Sequence, residues 1–119
     1  MNKTIFYKHP DEAELFIFEN VWYAERYLEP IDIEDGIFYN SKGMVLSATT
    51  LKDSKGIEHV VINQTGTNIF KATELKEQLV NYLEIVNSSH PDIIEHTRPD
   101  LEKKSLSSLV ELSLRLKTE

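Results

Sequence analysis

The chain has 119 residues, a formal net charge of −7, 40% hydrophobic and 28% charged residues, and no cysteine. This length suits one domain spanning 1–119, and the composition can build one core, which argues against global disorder. Disulfide and thiolate chemistry are excluded. The apolar runs are a few residues long, far below the ~20 a membrane helix needs. The start Met1-Asn2-Lys3-Thr4-Ile5-Phe6-Tyr7-Lys8 lacks the apolar core and small-residue cleavage site of a signal peptide. A cytoplasmic protein with no membrane contact is the expectation.

Ile5-Phe6-Tyr7 reads as a short first strand ended by His9-Pro10. Two readings compete for the next stretch. Glu14-Leu15-Phe16-Ile17-Phe18-Glu19 is aromatic-rich and loosely alternating, which favours a strand. Pro10-Asp11-Glu12 also resembles a helix start, and a single helix from Asp11 to Leu28 competes, because short apolar runs do not separate the two. In the strand reading Asn20 caps a helix reaching about Leu28, with Val21, Ala24, Tyr27 and Leu28 on its buried face. Glu29-Pro30 ends that helix, and Ile31-Asp32-Ile33-Glu34 follows as an acidic extended piece.

After the Asp35-Gly36 turn signal, Ile37-Phe38-Tyr39, Met44 to Thr50 and Ile57 to Ile62 form a three-strand meander. Its turns are Asn40-Ser41-Lys42-Gly43 and Lys52 to Gly56. Thr73 is placed to cap a helix whose Leu75, Leu79, Tyr82, Leu83 and Val86 make a core-facing stripe. Asn87 to Pro91 stops it, and a short helical turn fits Asp92 to His96. Ser105 caps a last helix with Leu106, Leu109, Val110, Ser113 and Leu116 on one side. The fold class is α+β: a small antiparallel sheet, the meander plus one or two N-terminal strands, with helices packed on one face.

The charge is uneven. Residues 11–35 hold nine acids and one base, Arg26, for a net of −8; the rest holds eleven acids and twelve bases. This asymmetry opposes binding to a nucleic-acid backbone and suits a basic protein partner, whose approach it would steer.

The sequence carries no local catalytic signature. His9, His59, His90 and His96 lack the i, i+4 spacing of a helical metal pair, and no cysteine completes a zinc site; they read as surface histidines, with His59 against the sheet. The serines read as turn and cap residues, and the four separated glycines form no phosphate loop. Asp32 to Gly36 lacks the alternating ligands and terminal glutamate of a calcium loop. No enzyme activity, cofactor or metal is expected. Phe16, Phe18, Phe38 and Trp22 are assigned to packing, whereas Tyr23, Tyr27 and Tyr39 are available for an interface, where tyrosine is enriched. The candidate partner-binding face is Tyr23, Glu25, Tyr27, Glu29, Asp32, Glu34 and Asp35.

The run from Ala24 to Gly36, with its acidic Pro30-Ile31-Asp32 corner, precedes an aromatic strand, Ser41-Lys42-Gly43 and a helix near Glu74-Leu75. This order, over roughly residues 20–115, resembles small bacterial immunity proteins encoded beside polymorphic or contact-dependent growth-inhibition toxins. The resemblance implies a cytoplasmic inhibitor that binds its cognate toxin domain, often a nuclease with a basic cleft, as a 1:1 heterodimer of otherwise monomeric chains. A non-catalytic adaptor docking on a basic protein is the alternative.

Overall fold

A computed structural model describes residues 3–12, 14–64, 67–89 and 97–118. A five-stranded antiparallel sheet runs in the order β2-β1-β3-β4-β5. Its strands are β1 (Ile5–Lys8), β2 (Leu15–Phe18), β3 (Ile37–Tyr39), β4 (Val45–Lys52) and β5 (Glu58–Asn63). The helices are α1 (Val21–Tyr27), α2 (Ala72–Ser89), α3 (Arg98–Glu102) and α4 (Leu106–Thr118), with a 3₁₀ turn at Pro30–Ile33.

Strand composition follows how many faces are covered. Phe6, Leu15, Ile17 and Tyr39 pack with Leu75, Leu79, Leu83, Leu101, Leu109 and Val110 of α2 to α4. Ile5, Tyr7, Phe18 and Phe38 lie on the other face with Leu46, Val60, Ile62 and with Ala24 and Leu28 at α1. Strands β1, β2 and β3 are therefore sandwiched, and they read as unbroken apolar runs because both faces leave water. In β4 the alternation is clean: Leu46 is buried, whereas Ser47 and Thr49 are exposed. Each fully buried leucine of the α2 stripe contributes roughly 1.5–3 kcal/mol.

The segment 15–18 is a strand, paired Ile5↔Phe18 through Lys8↔Leu15. That pairing excludes the single long helix, and α1 starts only after Asn20, whose backbone is extended and whose Oδ1 accepts the Tyr23 N–H at 3.2 Å. Helices α2 to α4 share one face as expected, but α1 and the 3₁₀ turn cover the opposite face. The piece 31–34 is not extended. Pro30 opens a 3₁₀ turn at a position where its missing N–H costs nothing, and the Asp32 Oδ2 accepts the Glu29 N–H at 2.7 Å.

The meander forms as read. Asn40 Oδ1 accepts the Lys42 and Met44 N–H groups, and Gly43 turns at φ +82°. A Cβ at Gly43 would sit 2.5 Å from Ala72 Cα, so glycine lets this turn abut the start of α2. There the Lys71 N–H donates to the Gly43 carbonyl at 2.8 Å. Helix α2 begins at Ala72, which places Thr73 inside its first turn rather than at its cap. Leu75, Leu79 and Leu83 of its stripe are buried, Tyr82 and Val86 are half-buried against the same core, and Ser105 caps α4 by accepting the Ser108 N–H. The helical turn expected at Asp92 to His96 lies outside the described residues, and α3 follows them.

Candidate functional site

The surface around α1, β2 and the 3₁₀ turn combines exposed aromatic rings with carboxylates. Its centre is Tyr27, on the last turn of α1 and 63% exposed. The α1 stripe buries Ala24 and half-buries Val21, leaving Tyr27 to lie against the rings of Phe16 and Phe18 at 5.9 and 5.5 Å between centroids. Tyr27 was expected on the buried side. Because α1 is only seven residues long, Leu28 just past its end takes that buried place instead.

Two clefts meet at Tyr27 and Phe16. One, of about 370 Å³, is lined by Glu12, Glu29 and Asp32 with Tyr7 and Leu28. The other, of about 540 Å³, runs along β2 from Glu14 to Glu19 and is flanked by Tyr23 and Tyr82. Tyr7 lies beneath the first cleft and donates its hydroxyl to the Asp32 carbonyl at 2.5 Å. Burial, then the charges of Asp32, Glu12 and Asp35, hold its phenol above the usual tyrosine range. Gly36 permits this arrangement, since a Cβ there would come within 2.1 Å of the Tyr7 ring.

Among the described residues, no carboxylate between 11 and 35 enters an ion pair. Ion pairs elsewhere include Lys71 with Glu74 and Arg98 with Glu84 and Glu102, and His59 hydrogen-bonds Asp53. The one base of the region, Arg26, stacks its guanidinium 3.9 Å above the Trp22 ring. It also donates to the Trp22 carbonyl.

The expected site residues separate into groups. Tyr23, Tyr27, Glu29 and Asp32 come together around the two clefts, and Asp35 is close enough to act on Tyr7. Glu34 is exposed at the end of the 3₁₀ turn. Asp32 also closes that turn, as described. Glu25 does different work: its Oε2 accepts the Ile62 N–H at 2.8 Å, occupying a backbone donor of β5. Tyr39, a possible interface residue in the sequence, is fully buried and donates its hydroxyl to Glu74. Burial first, then Glu74, raises the Tyr39 phenol far above its ordinary value. Trp22, assigned to packing, is 52% exposed.

Glu12, Glu14, Glu19, Phe16 and Tyr82 also border the clefts, beyond the residues that sequence singles out. The signal available was the acidic excess of residues 11–35, to which the first three belong. His59, expected against the sheet, is exposed and bonds Asp53 Oδ2 at 2.8 Å. His90 and His96 lie outside the described residues. Among the described residues no cluster of three His, Asp or Glu side chains could hold a metal, and no helix is long and apolar enough to cross a membrane.

The fold and this surface define an α+β domain with an acidic, aromatic-bearing face. Comparison with known protein families, characterised proteins and solved structures gives no match.

Proposed function

We propose that this chain is an immunity protein that binds and neutralises a cognate bacterial toxin domain, a basic RNase or DNase, through the face centred on Tyr27. The observation that carries the reading is the set of carboxylates left without ion pairs around exposed tyrosines. A nuclease cleft is lined with Lys and Arg because it attracts phosphate, and a carboxylate-rich protein face imitates that polyanion. Complementary fields raise association above the neutral ~10⁵–10⁶ M⁻¹s⁻¹. Tyr23 and Tyr27 then supply amphipathic contact area at low conformational cost, which slows dissociation. The role is non-catalytic and the complex is a 1:1 heterodimer.

The test is co-expression with the product of the adjacent open reading frame. The expected result is co-purification at one-to-one stoichiometry and growth only when this chain is present. Co-purification without rescue of growth would instead identify a docking module, and neither would refute the reading.

A further inference from the structure

The two edges of the sheet are finished differently. At the β5 edge the Ile62 N–H is occupied by the Glu25 carboxylate, one of the devices by which proteins keep an edge from pairing with other chains. At the other edge, β2 pairs with β1 alone among the described residues. Leu15, Ile17 and Phe18 are buried and Phe16 is half-buried, so what this edge offers to a partner is chiefly backbone. The larger cleft follows that edge along its length. Tyr23 and Tyr27 of α1 stand on one face of the sheet, and Tyr82 of α2 stands on the other. A strand edge between two aromatic walls fits an added strand, which would lie about 4.8 Å from β2.

Charge decides which strand. The edge carries Glu14 at one end and Glu19 at the other. If two copies paired antiparallel about the centre of β2, Leu15 would face Phe18 and Glu14 would face Glu19 of the other copy. That places like charges opposite each other at both ends, which is destabilising. An extended segment with lysine or arginine at its ends meets both glutamates favourably. From Glu14 to Glu19, at about 3.4 Å per residue, the edge has room for about six residues.

We infer that β2 is a strand-addition site for an extended, basic-ended segment of a protein partner, held by main-chain hydrogen bonds between the tyrosine walls. The inference rests on the reading that this face takes a protein partner, and it adds the mode of capture. Main-chain pairing supplies affinity in such sites and flanking side chains supply specificity.

The test uses the full chain, labelled with ¹⁵N, and three synthetic six-residue peptides. One has lysine ends around a Val-Thr-Val-Thr centre. The second is the same peptide with every interior amide N-methylated, and the third has glutamate ends. The expected result is binding of the first, with slowed amide exchange in β2 and shift changes at Tyr23 and Tyr27. The other two peptides should bind roughly tenfold more weakly or less. Failure of the lysine-ended peptide to bind, or equal binding of its N-methylated form, would overturn the inference. So would a free chain that sediments as a β2-paired dimer.

Glu14→Lys provides an independent arm, because it makes both facing pairs in the twofold arrangement opposite in charge. The variant should self-associate through β2 while the parent chain does not; protection of β2 unchanged at high concentration would count against an accessible edge. Toxin neutralisation with β2 exchange unaltered would discard strand addition and keep the proposed function. Peptide capture by a chain that neutralises nothing would do the reverse.

Discussion

Replacing Glu25 with alanine separates structural from recognition carboxylates. By sequence Glu25 belongs with the acids of the candidate partner face; in the fold its Oε2 accepts the Ile62 N–H at 2.8 Å, tying α1 to β5. Hydrogen bonds to charged groups contribute about 1.5–3 kcal/mol. Because Glu25 is half-buried and water can reach an edge N–H, the expected loss is at the low end, about 1–2 kcal/mol. Alanine costs nothing in helix propensity, so the loss reports the bond. With about 2.1 cal/mol/K of unfolding entropy per residue over 119 residues, that corresponds to a Tm lowered by roughly 4–8 °C. Glu25→Gln keeps an acceptor oxygen and should lose half of this or less. The assay is thermal and urea unfolding by circular dichroism, paired with the association rate of the partner. A Tm within about 1 °C of the parent, or slowed association with stability intact, would refute this assignment of Glu25.

Gly36→Ala places a Cβ 2.1 Å from the buried Tyr7 ring. Overpacking of this kind costs about 1–3 kcal/mol, so Tm should fall measurably and the acidic turn above Tyr7 should shift, slowing partner association; a variant as stable as its parent would contradict the close approach. Burial raises the phenols of Tyr7, Tyr39 and Tyr82 above their ordinary value. A raised folded-state pKa contributes stability that is full below the unfolded value, about pH 10, and is lost as pH rises through the folded values. Urea midpoints should therefore decline above about pH 10, and less so in Tyr39→Phe; identical slopes would show that Tyr39 is not shielded. Asp53 is held below the usual carboxylate range, first by His59 and then by the Ile57 N–H. Its contribution should be complete above about pH 4 and fade as pH falls through the lowered value, a dependence that Asp53→Asn should remove.

The parts of the fold legible in the sequence were those fixed by local chemistry. The meander is set by period-two alternation and by turn residues whose partners lie a few positions away, such as Asn40 with Lys42 and Met44. The α2 stripe and the Ser105 cap are local in the same sense. Most of what sequence places wrongly depends on distant chain. Sequence leaves Tyr39 available for an interface because nothing near it shows that α2 covers that side of β3, where Glu74 receives its hydroxyl from 35 residues away. Glu25 was misplaced because its partner Ile62 is 37 positions on. The acids of 29–35 were found through their density, but Glu12, Glu14 and Glu19 join the same surface only because the β1–β2 hairpin lays β2 beside α1. The 3₁₀ turn is an exception, since alternation in Ile31-Asp32-Ile33-Glu34 resembles a strand whereas Pro30 and the Asp32 carboxylate close it locally.

The central claim, that carboxylates around Tyr27 draw in a basic partner, is tested most directly by stopped-flow association with the toxin domain over a range of salt. The comparison is between the parent chain and a Glu12→Gln, Glu29→Gln, Asp35→Asn variant, which leaves Asp32 to hold its turn. Association of the variant should be slower at low salt and its salt dependence shallower, with the two rates converging as salt rises and the Debye length falls from about 30 Å at 0.01 M to 10 Å at 0.1 M. Rates and salt slopes that match the parent throughout would contradict the account.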